Sequence, residues 1–334
     1  MNNKMLKAIV DDIKVYYKYY LFLLIFSLLF FIRLDYYVYS PGGLDDLTNR
    51  IEVENAYSSK GSFNLTYVTS RDGSLFNLGL SYLIPSWDIE SVDESRIDDE
   101  SINEIEERNK ILLKETSYDA IIAAFSEANI PYNIDSIDVT VTYVFKEANT
   151  DLKVGDIIKK INGVSINSFE ELKNEISKYY ENDKINIEVI RKNKTITCNS
   201  TLFKEGEDVL IGVSLSELKT ISTNPKVEYV FRNNESGSSR GLMCALDIYN
   251  KITPNDLTKG RIIAGTGSID ANGVVGKISG VKYKLAGAVR KKASIFIVPS
   301  DNYEEAVMLK EKNNYNIEII SASTIHDVIE KLSN

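Results

Sequence analysis

Gly237-Ser238-Ser239-Arg240-Gly241-Leu242-Met243 is a run of mostly small residues that leads into a helical pattern. Its apolar residues recur at helical spacing: Leu242, Ala245, Leu246, Tyr249 and Ile252. Ser239 stands where the helix should begin, so unpaired backbone N–H groups should surround its hydroxyl. A helix N-terminus also favours negative charge, which a tetrahedral oxyanion carries. The pattern fits a nucleophile, and it also fits the commoner structural role of a helix N-cap.

A nucleophilic serine needs a base, and two kinds of residue are available. The chain has one histidine, His326, which falls off the apolar face of the last predicted helix and is expected at the surface. Lysine serves as a base when burial lowers its pKa. Lys282 and Lys284 lie in a later helical segment, and spacing alone does not choose between them. Lys282 is the nearer to the apolar centre of that helix, and a solvated surface charge is the alternative for either.

Three motifs in order resemble the proteolytic domain of Lon-type serine peptidases. They are the segment around Ser239, then Thr266-Gly267-Ser268-Ile269, then Gly280-Val281-Lys282-Tyr283-Lys284. The resemblance implies a Ser-Lys dyad, with Ser239 as nucleophile and Lys284 as base. It also implies a set of neighbours around the dyad: Gly237, Ser238, Arg240, Gly241 and Thr266.

The chain departs from the family pattern beside the proposed nucleophile. Ser238 and Arg240 replace the Pro and Ala that flank the family's serine, and Ser279 replaces a Gly of the later motif. The Arg240 cation either helps to hold the lysine neutral or obstructs the site. These departures leave a second hypothesis open, a catalytically inactive PDZ scaffold with a degenerate Lon-like domain.

The N-terminus carries an uncharged apolar run, Tyr19–Ile32, with tyrosines at both of its edges. Tyrosine belts mark membrane interfaces, and a run of this length fits either a span or a signal-peptide core. No Ala-x-Ala cleavage site follows, so we expect an uncleaved transmembrane anchor. Lysines precede the run and only Arg33 follows it closely, which favours a cytoplasmic N-terminus and an extracellular remainder on a single-pass cell-membrane protein.

The segment Leu152-Lys153-Val154-Gly155-Asp156-Ile157-Ile158-Lys159-Lys160-Ile161-Asn162-Gly163 resembles the core of a PDZ domain. PDZ domains bind extended peptides by adding a strand to a sheet edge. The resemblance places the peptide-binding carboxylate loop just before this segment, at four residues: Val141, Thr142, Tyr143 and Val144.

Composition limits the function classes. The net charge is −9, whereas a nucleic-acid surface is normally basic, so no nucleic-acid partner is expected. The two cysteines give no disulfide framework or metal cluster, and no His-Glu-x-x-His motif occurs, so no metal or other cofactor is expected. A Gly-x-x-x-x-Gly-Lys-Ser/Thr motif is also absent, which argues against an ATPase module of the usual kind.

The fold class predicted is a multidomain α+β protein, and the resemblance over most of the chain is to membrane-anchored PDZ-domain Lon-like serine proteases. The predicted order is a cytoplasmic tail (1–18), an anchor (19–34), a strand-rich region with helices (35–132), a PDZ domain (133–205) and a Lon-like α/β domain (206–334). Within the strand-rich region, Phe63, Leu65 and Tyr67 alternate as in a half-buried strand, and Ser117–Ala128 is predicted to be a helix. A further helix is predicted over Gly280–Lys291 of the Lon-like domain. The resemblance implies ATP-independent cleavage of peptides or proteins outside the membrane.

Overall fold

The protein is described here by a computed structural model, which covers residues 3–92, 96–97, 100–230 and 237–334. It forms two compact units. The first comprises Met1–Gly42 and Val68–Ile97, and the second comprises Gly43–Tyr67 and Asp98–Asn334.

The helices of the described residues, in chain order, are α1 (Asn3–Phe31), α2 (Leu75–Leu83), α3 (Ile102–Glu127), α4 (Phe169–Ile176), α5 (Gly241–Ile252), α6 (Val281–Arg290), α7 (Tyr303–Lys312) and α8 (Ile325–Ser333), with a short 3-10 turn at Ser300–Asn302.

The strands of the described residues are β1 (Arg33–Asp46), β2 (Ile51–Val53), β3 (Ser62–Ser74), β4 (Asp88–Ser91), β5 (Tyr132–Val144), β6 (Asn149–Thr150), β7 (Ile157–Ile161), β8 (Val164–Ser165), β9 (Lys184–Arg191), β10 (Lys194–Thr201), β11 (Phe203–Glu205), β12 (Asp208–Leu210), β13 (Val213–Thr223), β14 (Val227–Tyr229), β15 (Ile262–Gly265), β16 (Ser268–Ile269), β17 (Val275–Gly276), β18 (Ile295–Pro299) and β19 (Glu318–Ala322).

In the first unit, α1 is long and apolar enough over Met5–Phe31 to cross a membrane, and none of that stretch is buried within the protein. It fits a single-pass membrane anchor. Residues Tyr36 to Tyr39 of β1 pair antiparallel with β4. The short helix α2 follows β3 directly, and the Ser74 hydroxyl caps it by accepting a hydrogen bond from the Asn77 N–H.

A sheet that contains the PDZ-like segment forms one part of the second unit. Its strands run in the order β13-β5-β7-β9-β10-β6, with β8 on β7. Ile185, Ile187 and Val189 of β9 alternate with more exposed residues, so one face of the strand enters the core. Strand β13 lies at the edge and pairs with β5 from Val213 to Thr223, although the sequence assigned residues after 205 to the next domain.

The C-terminal part has the layered α/β build that the motifs predicted. Strands β15, β18 and β19 are parallel, and β15 also pairs in parallel with the first residues of β3. All five residues of β18 are buried, because helices cover both faces of the sheet. Ile295 and Ile297 pack in the cluster with α5 and α8, and Phe296 and Val298 pack in the cluster with α6 and α7.

Helix α3 belongs to both parts of the second unit. The sequence predicted a helix over Ser117–Ala128, but α3 begins at Ile102, with a capping box formed by Ser101 and Glu104. The sequence did not predict the first half of α3 because that half is highly charged and lacks the helical repeat of apolar residues found in the second half. Phe125 packs in the cluster with α5, and Lys219 of β13 forms an ion pair with Asp119 at 2.9 Å.

Candidate active site

The loop before α5 holds Ser239 at the carboxyl end of the parallel strands. The Ser239 carbonyl accepts hydrogen bonds from the Gly267 N–H at 2.9 Å and from the Thr266 hydroxyl at 3.1 Å. The helix begins two residues later, at Gly241, and Arg240 occupies the N-cap position without a side-chain capping bond. The N-cap interpretation of Ser239 is therefore wrong, because Arg240 is the N-cap residue. The Ser239 carbonyl is instead bound by Thr266 and Gly267, which follow β15.

Thr266 fixes the position of this loop against the sheet. It follows β15 directly and is fully buried. Its N–H donates to the Ile297 carbonyl of the neighbouring strand at 3.0 Å, so the residue is held where the two strands end. Sites in α/β sheets typically form outside the carboxyl ends of the strands.

Lys284 approaches the same point from the other face of the sheet. Its Nζ donates to Thr266 Oγ1 at 3.0 Å, and only 5% of the residue is exposed. Burial lowers the pKa of Lys284 from its ordinary 10.5 to about 8. The alternative of a solvated surface charge is therefore wrong for Lys284.

Lys282 has a different environment, although helical spacing placed it nearer the apolar centre. It is half-buried, and its ammonium lies 5.7 Å from the centroid of the Tyr283 ring. Gly280, with φ of +76°, precedes the helix in the left-handed region that favours glycine. On the helix that follows, it is Lys284, two residues after Lys282, that reaches Thr266.

Helix α3 forms hydrogen bonds with the loop that carries Ser239, and the sequence did not indicate these contacts. The Thr116 hydroxyl donates to the Ser238 carbonyl at 3.2 Å, and the Gly237 N–H donates to the Asn109 carbonyl at 3.1 Å. A Cβ at Gly241 would lie 2.3 Å from Thr116 Oγ1, so only glycine permits this close approach. No local pattern marks Thr116 or Asn109, because their role depends on long-range packing.

Arg240 neither lowers the lysine pKa nor lies free beside it. Its side chain is buried and its Nε donates to Cys244 Sγ at 3.4 Å, one turn along α5. Burial raises the pKa of Tyr229 well above its ordinary 10.0, and the Arg240 charge offsets part of that rise. Burial alone accounts for the lowered pKa of Lys284. Arg240 is therefore engaged with Cys244 and Tyr229.

Other catalytic classes find little support at this site. His326 is exposed and its Nδ1 lies 2.7 Å from Glu127 Oε1, as expected for a surface histidine. Within residues 3–92, 96–97, 100–230 and 237–334, no three His, Cys, Asp or Glu side chains are placed to hold a metal ion. The candidate chemistry of the described site thus rests on Ser239, Thr266 and Lys284.

The PDZ residues expected to form a carboxylate loop form a strand instead. Val141, Thr142 and Tyr143 are buried inside β5, and Val144 ends that strand opposite Val213. A groove of about 710 Å³ lies elsewhere, between α4 and the start of β13, and Phe169 and Gly212 are among its lining residues. The sequence did not identify this groove because β13 joins the PDZ sheet from about 70 residues beyond β5.

Comparison with known proteins supports both domains. A family model of the PDZ domain matches residues 108–202, and a model of the Lon protease C-terminal proteolytic domain matches residues 234–333. No curated protein matches the chain.

Three of the solved structures similar to the chain each match about a quarter of it. The PDZ domain of an SdrC-like protein from Listeria monocytogenes is 23% identical, over 25% of this chain and 90% of that one, with a TM-score of 0.22. Its counterpart from Listeria innocua is 24% identical, over 23% and 92%, with a TM-score of 0.22. A solution structure from Geobacillus thermodenitrificans is 23% identical, over 23% and 94%, with a TM-score of 0.21.

An N-terminal apolar helix, a PDZ domain and a Lon C-terminal domain together match a membrane-anchored PDZ Lon-like protease. The Lon domain supports a place in a serine protease family, and both domains support binding of a peptide or protein substrate.

Proposed function

We propose that the protein is an ATP-independent serine endopeptidase that cleaves peptides or proteins at the outer face of the membrane through a Ser239–Lys284 dyad. The observation that carries this proposal is the buried Lys284 ammonium, whose pKa is lowered to about 8 and whose partner, Thr266, also binds the Ser239 carbonyl. A buried lysine with no carboxylate partner among the described residues costs stability, which is typical of a group that serves chemistry.

In the proposed acylation step, neutral Lys284 Nζ takes the proton from Ser239 Oγ as that oxygen attacks the peptide carbonyl carbon. The resulting oxyanion is stabilised by backbone N–H groups of the loop before α5, because the first two N–H groups of the helix, at Gly241 and Leu242, already donate to the Ser238 and Gly267 carbonyls. The Ser239 N–H is a candidate donor, since it makes no hydrogen bond to another described residue. The Lys284 ammonium then gives its proton to the amide nitrogen, and the C–N bond breaks.

In the second step the same lysine, neutral again, takes a proton from water as the water oxygen attacks the acyl-enzyme carbonyl. The ester bond to Ser239 then breaks and its Oγ recovers the proton from Lys284. Thr266 orients the lysine throughout, because its oxygen accepts from Nζ while its own hydroxyl proton is directed to the Ser239 carbonyl. The Ser239 hydroxyl makes no hydrogen bond to another described residue, and a catalytic contact of this kind commonly tightens when substrate binds.

The PDZ groove supports a recruiting role for that domain. Strand β13 is the edge strand of its sheet, and its first residues line the groove beside α4. An extended peptide could add to this edge and place side chains against Phe169. We therefore place peptide binding at β13 and α4, and not at the β5 residues that the sequence indicated.

The decisive experiment measures cleavage of an unstructured protein and a short peptide by the full chain in detergent. We expect turnover by the wild type and none by Ser239→Ala or Lys284→Met. Lys282→Met is the matched control, since it removes a nearby cation outside the buried site, and it should keep substantial activity. Turnover that survives Ser239→Ala would overturn the proposal, and an inactive wild type would favour the scaffold hypothesis.

A further inference from the structure

The segment after β3 exposes an apolar surface that the protease function does not use. Residues 75–87, from Leu75 through α2 to Trp87, contain no charged side chain. Tyr82 is 84% exposed and Leu83 is 78% exposed, at the end of α2. Soluble proteins rarely expose such contiguous apolar patches to water, so we expect protein or lipid to cover α2.

The position of α2 identifies what covers it. The Phe76 ring stacks on the Phe30 ring, with centroids 4.4 Å apart and planes 26° apart. Phe30 lies in the last turn of α1, one residue before that helix ends. Because α1 fits a membrane anchor, this contact places the first turn of α2 at the depth where the anchor leaves the hydrocarbon.

Charged groups flank the same region on one side. Arg33, just beyond α1, forms an ion pair with Asp72, which precedes α2 by three residues. The Arg71 guanidinium lies 5.0 Å from the centroid of the Trp87 ring. An apolar helix that is bordered by a charged pair, carries Tyr82 in its last turn and is followed by Trp87 has the composition of a segment at the boundary between lipid and water.

We infer that α2 is a second membrane contact, which lies in the interfacial layer beside α1 with Tyr82 and Leu83 against lipid. This inference rests on α1 spanning a membrane and is independent of the proposed catalysis. It gives the first unit two attachments to the bilayer. A second attachment would restrict rotation of the first unit about the axis of α1.

Single tryptophans in the full chain test this placement. Trp87 is the only tryptophan in the sequence, so Trp87→Phe gives a chain without tryptophan fluorescence. Reporters are then introduced by Phe26→Trp in α1, Tyr82→Trp in α2 and Tyr180→Trp in the PDZ domain. Tyr180 is the matched control, since at 79% it is exposed nearly as much as Tyr82. Each variant is reconstituted into nanodiscs of phosphatidylcholine with and without brominated acyl chains.

Brominated lipid should reduce the Tyr82→Trp emission by about half and leave the Tyr180→Trp emission nearly unchanged. Acrylamide in the aqueous phase should show the opposite preference. Quenching of the Phe26→Trp reporter by brominated lipid verifies the anchor separately, so failure of the anchor is distinguishable from failure of the inference.

Equal acrylamide access at Tyr82→Trp and Tyr180→Trp, without lipid quenching, would overturn the inference. Shielding of Tyr82→Trp from both quenchers would also overturn it, because protein and not lipid would then cover α2. Bromolipid quenching of native Trp87 in the unsubstituted chain repeats the test without any substitution.

Discussion

Replacing Lys284 by methionine should stabilise the protein while it abolishes activity. The pKa of Lys284 is lowered from 10.5 to about 8, which at about 1.4 kcal/mol per pKa unit is a cost of about 3 kcal/mol for the charged form in the folded state. Methionine has a similar length and carries no charge. It loses the hydrogen bond to Thr266, worth about 1 kcal/mol, so the net gain at pH 7 should be about 2 kcal/mol.

The pH dependence follows from the direction of the pKa shift. Below pH 8 the lysine is protonated in the folded and unfolded chains, and the folded chain carries the full cost. Between about pH 8 and about pH 10.5 the unfolded chain binds more protons, so wild-type stability rises with pH. The advantage of Lys284→Met should therefore be largest at neutral pH and disappear towards pH 10.5.

Hydrogen exchange resolved along the chain is a suitable assay, because a multidomain protein need not unfold in one step. Amides of α6 in the detergent-solubilised full chain should exchange roughly 30-fold more slowly in Lys284→Met than in the wild type at pH 7, if they exchange through unfolding of this domain. Lys282→Met should change this protection little. A variant that is no more stable than the wild type at pH 7 would refute the argument that Lys284 is destabilised by burial.

Four further outcomes are expected. Activity should rise about tenfold from pH 7 to pH 9 as Lys284 deprotonates around pH 8, and a profile that is flat over this range in steady-state assays would contradict the assignment. Thr116→Val should lower kcat by about fivefold through loss of one hydrogen bond to the Ser239 loop, whereas an unchanged kcat would show that the loop does not need it. Arg240→Ala should lower the temperature of thermal inactivation and leave the midpoint of the pH–activity profile unchanged. A shifted midpoint would show that Arg240 influences the pKa of Lys284. Phe169→Glu should reduce cleavage of proteins more than of short peptides, relative to the exposed control Val164→Glu, and equal losses would argue against recruitment through the groove.

The proposed topology is tested in protoplasts. Residues 36–334 should be digested by added protease, because lysines before the apolar run favour a cytoplasmic N-terminus. Protection of the large fragment in intact protoplasts, with digestion after lysis, would reverse the orientation.

The motifs around Ser239, Thr266 and Lys284 could be read from the sequence because each one is local. The elements that carry them were also predictable, since α6, predicted over Gly280–Lys291, runs from Val281 to Arg290. The choice between Lys282 and Lys284 was not available from spacing. It depends on which side chain reaches Thr266 across the sheet edge, and that contact forms only after β15 and α6 pack together.

The errors arose where partners are distant in sequence. Phe63, Leu65 and Tyr67 predicted a strand with one buried face, but Leu65 is half-buried and Tyr67 is exposed, whereas Asn64 and Thr66 are buried. The Asn64 and Thr66 side chains donate hydrogen bonds to the Ile263 and Gly265 carbonyls of β15. No local pattern in the sequence indicates these hydrogen bonds. Residues 141–144 were expected in a loop and lie in β5 for the same reason, because their pairing strand β13 is contributed by residues far beyond the recognisable PDZ core.

The most direct test of the central claim is to trap the nucleophile. The full chain is treated with a serine-reactive peptide phosphonate, and the adduct is mapped by mass spectrometry in the wild type, in Ser239→Ala and in Lys284→Met. The proposed dyad predicts an adduct on Ser239 in the wild type, none in Ser239→Ala, and strongly slowed labelling in Lys284→Met. An adduct on Ser238 with Ser239 unmodified, or labelling of Ser239 at the wild-type rate in Lys284→Met, would contradict it.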